Sequence, residues 1–285
     1  MKKITFGMLI ITFVMFLGLL VTSDVSFAKI DSNLDEERNV YLNIMTCNKM
    51  QYHMVKDIVN DKHNVQYLFD SEKESDKFKP TLDVINNISN MDLFFYTGLD
   101  YEVWSNDLIA KVDKSNLGVI DLSRGIRIIS QPNNNPYYLL GIEEYKTALY
   151  NIKNAIQDKD PLNREYYENN YNKTIININK SKENIIKNSS KIDFNNYSFI
   201  TIDRNLEYFY RSLNINVDYV SVNQLNKYLE DNKLDANKIV IFKEEQTQFK
   251  NEKYNVISFN CYTTQNPKDM IIDNYKKIYY NKLFQ

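Results

Sequence analysis

The middle of the chain carries two stripes of apolar residues spaced three and four positions apart, the pattern of one buried helical face. The first stripe, which starts after Asn135, consists of Tyr145, Ala148, Leu149, Ile152, Ala155 and Ile156. The second stripe consists of Tyr167, Tyr171, Ile175, Ile178 and Ile185. Between the stripes, Asp160 is predicted to cap the second helix, with Pro161 at its first position. A helix over residues 161–187 would be roughly 40 Å long, which favours a spine between two lobes.

On both sides of this spine, short apolar runs alternate with helical periods, which predicts α/β structure with mostly parallel sheets. Before the spine, strands are predicted at 40–45, 65–69 and 92–97, and helices at 48–59, over Leu82, Ile85 and Ile88, and at 99–112. After it, strands are predicted at 197–202, 217–220, 238–242 and 256–259, and helices at 204–213, 221–229 and 269–284. We therefore predict two Rossmann-like lobes, 29–160 and 191–285, joined by a long rigid bridging helix over 161–190. Ligands of such sheets bind beyond the carboxyl ends of the strands, here in a cleft that both lobes share.

The first 28 residues have the pattern of a secretory signal peptide. Two lysines precede an apolar run over residues 4–21, and Ser26-Phe27-Ala28 fits a cleavage site. We expect cleavage after Ala28 and a secreted or envelope-located protein. An uncleaved membrane anchor is the alternative, because about 18 apolar residues are near the lower limit for crossing a bilayer. No cysteine directly follows the run, so a bacterial lipoprotein anchor is not expected.

Charge and composition exclude several classes of function. The formal net charge is −2, and −3 without residues 1–28, which carry one net positive charge. No basic excess is therefore present to neutralise the phosphates of a nucleic acid. Two cysteines are too few for a disulfide scaffold. The sequence has no nucleophile elbow, no phosphate-binding glycine loop and no paired His–carboxylate motif, so we do not expect an enzyme.

Four segments resemble motifs of the metal-binding solute-binding proteins that serve zinc and manganese ABC importers. Phe95–Trp104 is similar to the family segment YNGxxLExW, and Asn135–Leu140 to DPHxWLD. Asp160–Asn170 is similar to DPxNxxYYExN, and Ile239–Gln246 to xxIFxExQ. Order and spacing agree from about Val40 to Leu283. The resemblance implies two lobes bridged by a rigid helix, little hinge motion, and a metal ion held between the lobes for an ABC transporter permease in the membrane.

The family's metal ligands are replaced at the matching positions of this chain. The first ligand, the His of HxYEPTPSD, corresponds to Asp76, and the second, the His of DPHxW, to Tyr137. The third, the His of HxxxxYF, corresponds to Asp203, and the final carboxylate corresponds to Asn260. The resemblance therefore implies a metal site at Asp76, Tyr137, Asp203 and Asn260, with every usual ligand substituted.

These four side chains offer oxygen donors only. Carboxylate and amide oxygens suit Mn²⁺, Mg²⁺ or Ca²⁺, whereas imidazole suits zinc; two carboxylates and an ionised phenol can also hold Fe³⁺. Asp76 and Asp203 would repel each other in a semi-enclosed cleft, which raises one pKa unless a cation lies between them. That cation is a divalent metal ion of the Mn or Zn type, an organic ammonium, or a lysine such as Lys77. The alternative is a wide, wet cleft without a ligand, in which each Asp caps a helix.

Other chemistry-bearing residues have plainer interpretations. His53 and His63 match no ligand position and are expected to be isolated surface or half-buried side chains. Cys47 and Cys261 each follow a strand on the cleft side, where separate, partly buried thiols are expected. A disulfide across the lobes, or a pair of thiols on a soft metal, are the alternatives. Glu245 lies near the cleft rim or in a solvated acidic loop, and the aromatic residues are expected to pack in the core and along the spine.

Two functional hypotheses follow. In the first, the protein is the extracytoplasmic solute-binding component of a zinc/manganese-type ABC importer and acts as a monomer that carries a cation to the permease. In the second, it is a degenerate surface protein that kept the fold, lost the metal, and binds another ligand or acts as an adhesion module. Metal binding separates the two, because only the first needs the carboxylates of Asp76 and Asp203.

Overall fold

The computed structural model describes residues 40–70, 74–75, 77–129, 134–189, 192–251 and 253–284. The residues from Tyr41 onward form one packing unit. The predicted signal peptide and the polar segment 29–39 lie outside the described residues, and so does Asp76. Within the described ranges, no helix is long and apolar enough to cross a membrane.

The N-terminal sheet has four parallel strands in the order β2–β1–β3–β4. Its strands are β1 Asn43–Asn48, β2 Asn64–Phe69, β3 Leu93–Tyr96 and β4 Gly118–Asp121. The helices that follow β1, β2 and β3 are α1 Lys49–Val59, α2 Leu82–Ser89 and α3 Ser105–Lys111. The middle strands are buried, with Ile44, Phe94 and Phe95 inaccessible to solvent, as expected for apolar runs in a parallel sheet.

Two helices lead from this sheet to the second one. Helix α4 covers Ile142–Lys159, and after one 3-10 turn at Pro161–Asn163, helix α5 covers Arg164–Asn188. The 25 residues of α5 give a length of about 38 Å at ~1.5 Å per residue. The long central helix predicted from the apolar stripe is therefore present, with its first turn wound more tightly than an α-helix.

The C-terminal sheet repeats the topology of the first, with four parallel strands in the order β6–β5–β7–β8. Its strands are β5 Ser198–Thr201, β6 Val217–Tyr219, β7 Ile239–Glu244 and β8 Asn255–Phe259. The helices that follow β5, β6 and β8 are α6 Glu207–Leu213, α7 Leu225–Asp231 and α8 Pro267–Tyr279. The structure is thus the predicted α/β fold with two lobes, one around each sheet.

Helix α5 contacts both lobes, because it packs against α1 on one side and α8 on the other. A second link lies between α1 and the start of α8. The carboxylate of Asp57 accepts hydrogen bonds from Lys268 Nζ at 2.6 Å and Asn266 Nδ2 at 2.9 Å. The hydroxyl of Tyr262 also donates to the backbone carbonyl of Asp70 at 2.8 Å. The lobes are therefore joined by polar contacts as well as by the helix.

Asp160 begins the turn before α5, as predicted, but its side chain does not cap that turn. The buried carboxylate instead accepts from Asn163 Nδ2 at 2.8 Å and from the Tyr167 hydroxyl at 2.5 Å. That hydroxyl lies 2.6 Å from His63 Nε2, and Nδ1 of His63 accepts from the backbone N–H of Leu42 at 3.3 Å. His63 is fully buried, so the expectation of a surface or half-buried side chain is wrong. Burial lowers the pKa of its imidazole.

Several predicted boundaries differ from the structure for local reasons. Strand β1 begins at Asn43 rather than at residue 40. The helix predicted at 99–112 is shortened to α3 because Gly98, Leu99 and Asp100 all have positive φ angles, which end regular structure. Helices α6 and α7 each begin with a 3-10 turn. The side chain of Trp104 packs in the N-terminal core, as expected of the aromatic residues.

Candidate functional site

Tyr137 lies immediately before a 3-10 turn, Tyr138–Leu140, and is half-buried. Its ring meets the ring of Tyr101 edge to face, with centroids 5.6 Å apart and planes at 86°. This is a favourable geometry for two aromatic rings. Its backbone N–H donates to Asn135 Oδ1 at 2.9 Å. The position at which the family places its second histidine is therefore occupied by a phenol with a fixed aromatic neighbour.

Asn135 links this segment to the opposite lobe. The side chain is buried, and its Nδ2 donates to the backbone carbonyl of Arg204 at 2.9 Å. Arg204 directly follows Asp203, which occupies the position of the family's third ligand. A second bond nearby joins the backbone N–H of Ile129 to the Tyr208 hydroxyl at 3.1 Å. One buried amide thus bonds to the backbone of Tyr137 and to the backbone of the residue that follows Asp203.

Asp203 follows strand β5 at its carboxyl end and is half-buried. Its Oδ2 accepts from the backbone N–H of Glu244 at 2.7 Å, and its Oδ1 accepts from the Thr247 hydroxyl at 2.9 Å. The alternative in which Asp203 caps a helix is wrong, because its carboxylate makes these bonds to the β7 end rather than to the following turn. Each carboxylate oxygen has a second lone pair, so the group retains the capacity to bind a cation.

Asn260 follows strand β8, and its backbone is fixed by the side chain of Asn274 through bonds of 3.1 and 2.8 Å. With its amide oriented to satisfy its neighbours, Asn260 donates to the two carboxylate oxygens of Glu245 at 2.5 and 3.2 Å. Glu245 also accepts from Lys277 Nζ at 2.5 Å. Where the family has a carboxylate, this chain therefore has an amide with the carboxylate of Glu245 beside it. Glu245 is exposed but bound on two sides, rather than free in a solvated loop.

The described donors do not form a closed ligand set. Asp76, the predicted fourth donor, lies outside the described residues. Among those that are described, no group of three or more His, Cys, Asp or Glu side chains converges in a way that could hold a metal ion. The chemistry of Tyr137, Asp203 and Asn260 nevertheless fits a hard cation, because a phenol, a carboxylate and an amide all present oxygen.

Neither Cys47 nor Cys261 forms a disulfide bond, and both are buried. Cys47 lies near the end of β1 and Cys261 follows β8. The expectation of separate thiols is confirmed, and the alternative of a cross-lobe disulfide is not. Burial, together with the nearby carboxyl of Glu102, raises the pKa of the Cys47 thiol, so this sulfur has little thiolate character.

A buried polar network lies at the carboxyl end of β3. Glu102 is 2 % exposed, and its carboxylate accepts from both the N–H and the hydroxyl of Thr97. Burial raises the pKa of Glu102 to about 7, although the bonds from Thr97 oppose the shift. Between them the backbone passes through Gly98, Leu99 and Asp100 with φ angles of 79°, 55° and 58°. Each of the two non-glycine residues costs roughly 1–3 kcal/mol in such a conformation, so surrounding contacts must hold the loop in place.

Reasoning from the sequence missed the residues that hold the site together. Asn135 and Glu102 both lie in segments that carry the family resemblance, and that signal could have identified them. Lys277 lies in no such segment, and only the fold brings it to Glu245. His53, which matched no ligand position, has its Nε2 3.0 Å from the backbone carbonyl of Thr264 in the other lobe.

Comparison with known proteins shows the family to which the chain belongs. Residues 44–260 match the family described as "Zinc-uptake complex component A periplasmic". A "Metal ABC transporter substrate-binding lipoprotein" of Lactococcus lactis is 23% identical over 223 residues, which cover 74% of this chain and 70% of the relative. The "Manganese ABC transporter substrate-binding lipoprotein scaA" of Streptococcus gordonii is 25% identical over 236 residues, covering 77% and 72%.

Solved structures share the fold. The solute-binding protein FpvC of Pseudomonas aeruginosa in complex with Mn²⁺ superposes with a TM-score of 0.70 at 19% identity, over 84% of this chain and 97% of that one. The Zn(II)-bound ZnuA-like domain of AdcA from Streptococcus pneumoniae gives 0.68 at 18% identity, over 85% and 98%. The family match extends over most of the chain, so this protein belongs to the family of zinc-uptake component A proteins, the substrate-binding proteins of metal ABC importers.

Proposed function

We propose that this protein binds a hard metal cation between its two lobes and delivers it to a membrane permease. As a member of its family it is a binding component of an importer and not an enzyme. The observation that supports the proposal most directly is the hydrogen bond from Asn135 Nδ2 to the carbonyl of Arg204. Arg204 follows Asp203 in the chain, and the same Asn135 side chain accepts from the backbone N–H of Tyr137. The position of a ligand between the carboxyl ends of two parallel sheets agrees with the general rule for such folds.

The donors favour particular cations. The phenol of Tyr137, the carboxylate of Asp203 and the amide of Asn260, with Glu245 beside it, present oxygen and no imidazole. Such donors suit Mn²⁺, and with an ionised phenol they suit Fe³⁺, better than they suit Zn²⁺. Relatives named as manganese or iron binders accord with this choice, among them the iron-binding MtsA of Streptococcus pyogenes. We therefore propose Mn²⁺ or iron as the cargo, with Asp76 as the fourth donor.

The protein acts outside the cytoplasm, in line with relatives named as lipoproteins. In this chain no cysteine directly follows the predicted signal peptide, and the first cysteine is Cys47. We propose cleavage after Ala28 and action as a monomer, with retention of the uncleaved segment as the alternative anchor. The relatives compared here are importer components, so they offer no support for the alternative of an adhesion module without a metal.

The test is metal binding by the purified chain that starts at Lys29. Calorimetric titration with MnCl₂, ferric citrate, ZnCl₂ and CaCl₂ should give saturable binding for manganese or iron, accompanied by a higher melting temperature. Asp76→Ala combined with Asp203→Ala should abolish the binding. Absence of binding and of a melting shift for all four cations would contradict the proposal, and tight binding of zinc alone would contradict the assignment of a hard cation.

A further inference from the structure

Tyr101 and Tyr137, the two rings that meet edge to face, are each followed in the chain by a side chain that binds Thr97. Glu102 accepts from the Thr97 hydroxyl at 2.5 Å and from its N–H at 3.1 Å. Tyr138 donates its hydroxyl to the Thr97 carbonyl at 2.8 Å. Thr97 is itself buried. One buried residue thus ties together the two segments that carry the aromatic pair.

The direction of these hydrogen bonds is determined by a third partner. Gln51 donates through Nε2 to the Thr97 hydroxyl at 2.8 Å, while its Oε1 accepts from the backbone N–H of Cys47 at 3.1 Å. Because the Thr97 hydroxyl oxygen accepts this hydrogen bond from Gln51, the Thr97 hydroxyl donates its own proton to Glu102. Within the described residues no buried side-chain nitrogen or oxygen lacks a hydrogen-bond partner, and a buried polar cluster whose atoms are all bonded is rigid.

The loop between Thr97 and Tyr101 has little freedom to move. Three successive left-handed residues form it, and a Cβ atom at Gly98 would lie 2.1 Å from Oδ1 of Asp121. Such conformations persist where surrounding contacts over-determine them, and they cluster at binding sites. The bonds from Thr97 to Glu102 close this loop, so they control where Tyr101 lies against Tyr137.

We propose that Thr97 and Glu102 are positioning residues for the metal site. They hold the ring of Tyr101 against the ring of Tyr137 and thereby fix the orientation of the Tyr137 phenol that the cation uses. The inference rests on the proposed function, in which Tyr137 supplies an oxygen donor. It extends that function by assigning the selection of a hard cation to a rigid aromatic pair rather than to Tyr137 alone.

The experiment compares matched variants. Thr97→Val removes the hydroxyl and keeps the shape, whereas Thr97→Ser keeps the hydroxyl. Titration with MnCl₂ should show about tenfold weaker binding for Thr97→Val and for Glu102→Gln, and near wild-type binding for Thr97→Ser. With ferric citrate, the same two weakened variants should lose the visible phenolate-to-iron charge-transfer band, and Tyr137→Phe should lack it entirely.

A second readout needs no metal. Fluorotyrosine placed at position 137 should change its ¹⁹F shift in Thr97→Val and keep it in Thr97→Ser. If the wild type binds no cation while the ¹⁹F shift follows the hydroxyl, the proposed function fails and the positioning role stands. If folded Thr97→Val and Glu102→Gln bind manganese like the wild type and leave the ¹⁹F shift unchanged, the positioning role is wrong and the proposed function is unaffected.

Discussion

Asn135 and Arg204 are joined across the lobes by a hydrogen bond of 2.9 Å, while the same Asn135 side chain accepts from Tyr137. Asn135→Ala removes these bonds and the weaker one to Glu207, so the part-buried N–H of Tyr137 and carbonyl of Arg204 lose the partner that Asn135 supplies. We expect the free energy of unfolding to fall by about 2 kcal/mol. We also expect manganese binding to weaken, because Asn135 no longer fixes the backbone of Tyr137 and of the residue after Asp203. Urea unfolding and calorimetric titration measure the two effects.

Asn135→Asp is the control for this change. The aspartate keeps the acceptor for the N–H of Tyr137 and loses the donor to Arg204, so it separates orientation within one lobe from the link between lobes. Manganese affinity equal to that of the wild type in Asn135→Ala would show that the link plays no part in binding.

Asp203→Asn separates the effect of the Asp203 charge on metal binding from the effect of its hydrogen bonds on stability. The amide keeps an oxygen for the N–H of Glu244, and its nitrogen can donate to the Thr247 hydroxyl. We expect a small change in melting temperature. Manganese affinity should fall at least about tenfold, since the carboxylate that would face the cation loses its full negative charge. Thr247→Val, which loses a hydrogen bond and no charge, should behave in the opposite way, with lower stability and retained affinity.

We expect Lys277 to compete with the proposed metal cargo for the carboxylate of Glu245. Its ammonium lies 2.5 Å from the Glu245 carboxylate, and the pair is partly exposed, so it contributes little stability. Lys277→Gln should raise manganese affinity a few-fold at an unchanged melting temperature, because it frees a carboxylate beside Asn260. Lys276→Gln is the matched control, since Lys276 pairs with Asp273 on the exposed side of the same helix.

A result in which Lys276→Gln raises affinity as much as Lys277→Gln would mean that only net charge matters. Glu245→Gln should lower the affinity for manganese. Adding Lys277→Gln to Glu245→Gln should then leave the affinity unchanged, as expected when two residues interact directly.

Glu102 should make the protein less stable as the pH rises. Burial raises its pKa in the folded state to about 7, above its value in the unfolded chain, so the folded state binds the proton more tightly. The contribution to stability is complete below about pH 4.5 and is lost as the pH rises through 7, an effect on the order of 3 kcal/mol. Urea unfolding from pH 5 to pH 8 should show this slope in the wild type and not in Glu102→Gln.

Exposed Glu165 provides the control for that series. Glu165→Gln should retain the wild-type slope between pH 5 and pH 8. An identical slope in Glu102→Gln would mean that another group governs this pH range. His63 is not that group, because burial lowers its pKa and its contribution to stability rises with pH.

Much of the fold could be predicted from the sequence because its signals are local. The alternation of apolar runs and the stripe along α5 reflect burial, which acts on neighbouring residues. The shortened α3 could not be predicted, since apolar spacing in the segment from Tyr101 to Ile109 is helical. Hydrogen bonds from Thr97 to the Glu102 carboxylate instead close a loop in which Gly98, Leu99 and Asp100 are left-handed.

The candidate site was less accessible to such reasoning. The order of the motifs pointed to Tyr137, Asp203 and Asn260 individually. Their hydrogen-bond partners could not be predicted, because those partners come from distant parts of the chain. Asp203 looked like a helix cap because it precedes a turn, yet strand β7 lies beside β5 and presents the N–H of Glu244 to its carboxylate. Similarly, Glu245 meets Asn260 only because β7 and β8 are adjacent.

The two-sided packing of α5, together with the bonds of Asp57 to α8, bears on how a permease distinguishes loaded from empty protein. A protein whose lobes are held together in this way should have nearly the same shape with and without metal. Its radius of gyration, measured by X-ray scattering, should therefore not change measurably when manganese is added. A clear contraction would contradict this. If the shape is unchanged, the permease must recognise the loaded protein by the charge and the side-chain arrangement around the bound ion. One bound ion changes the local electric field without changing the shape of the protein.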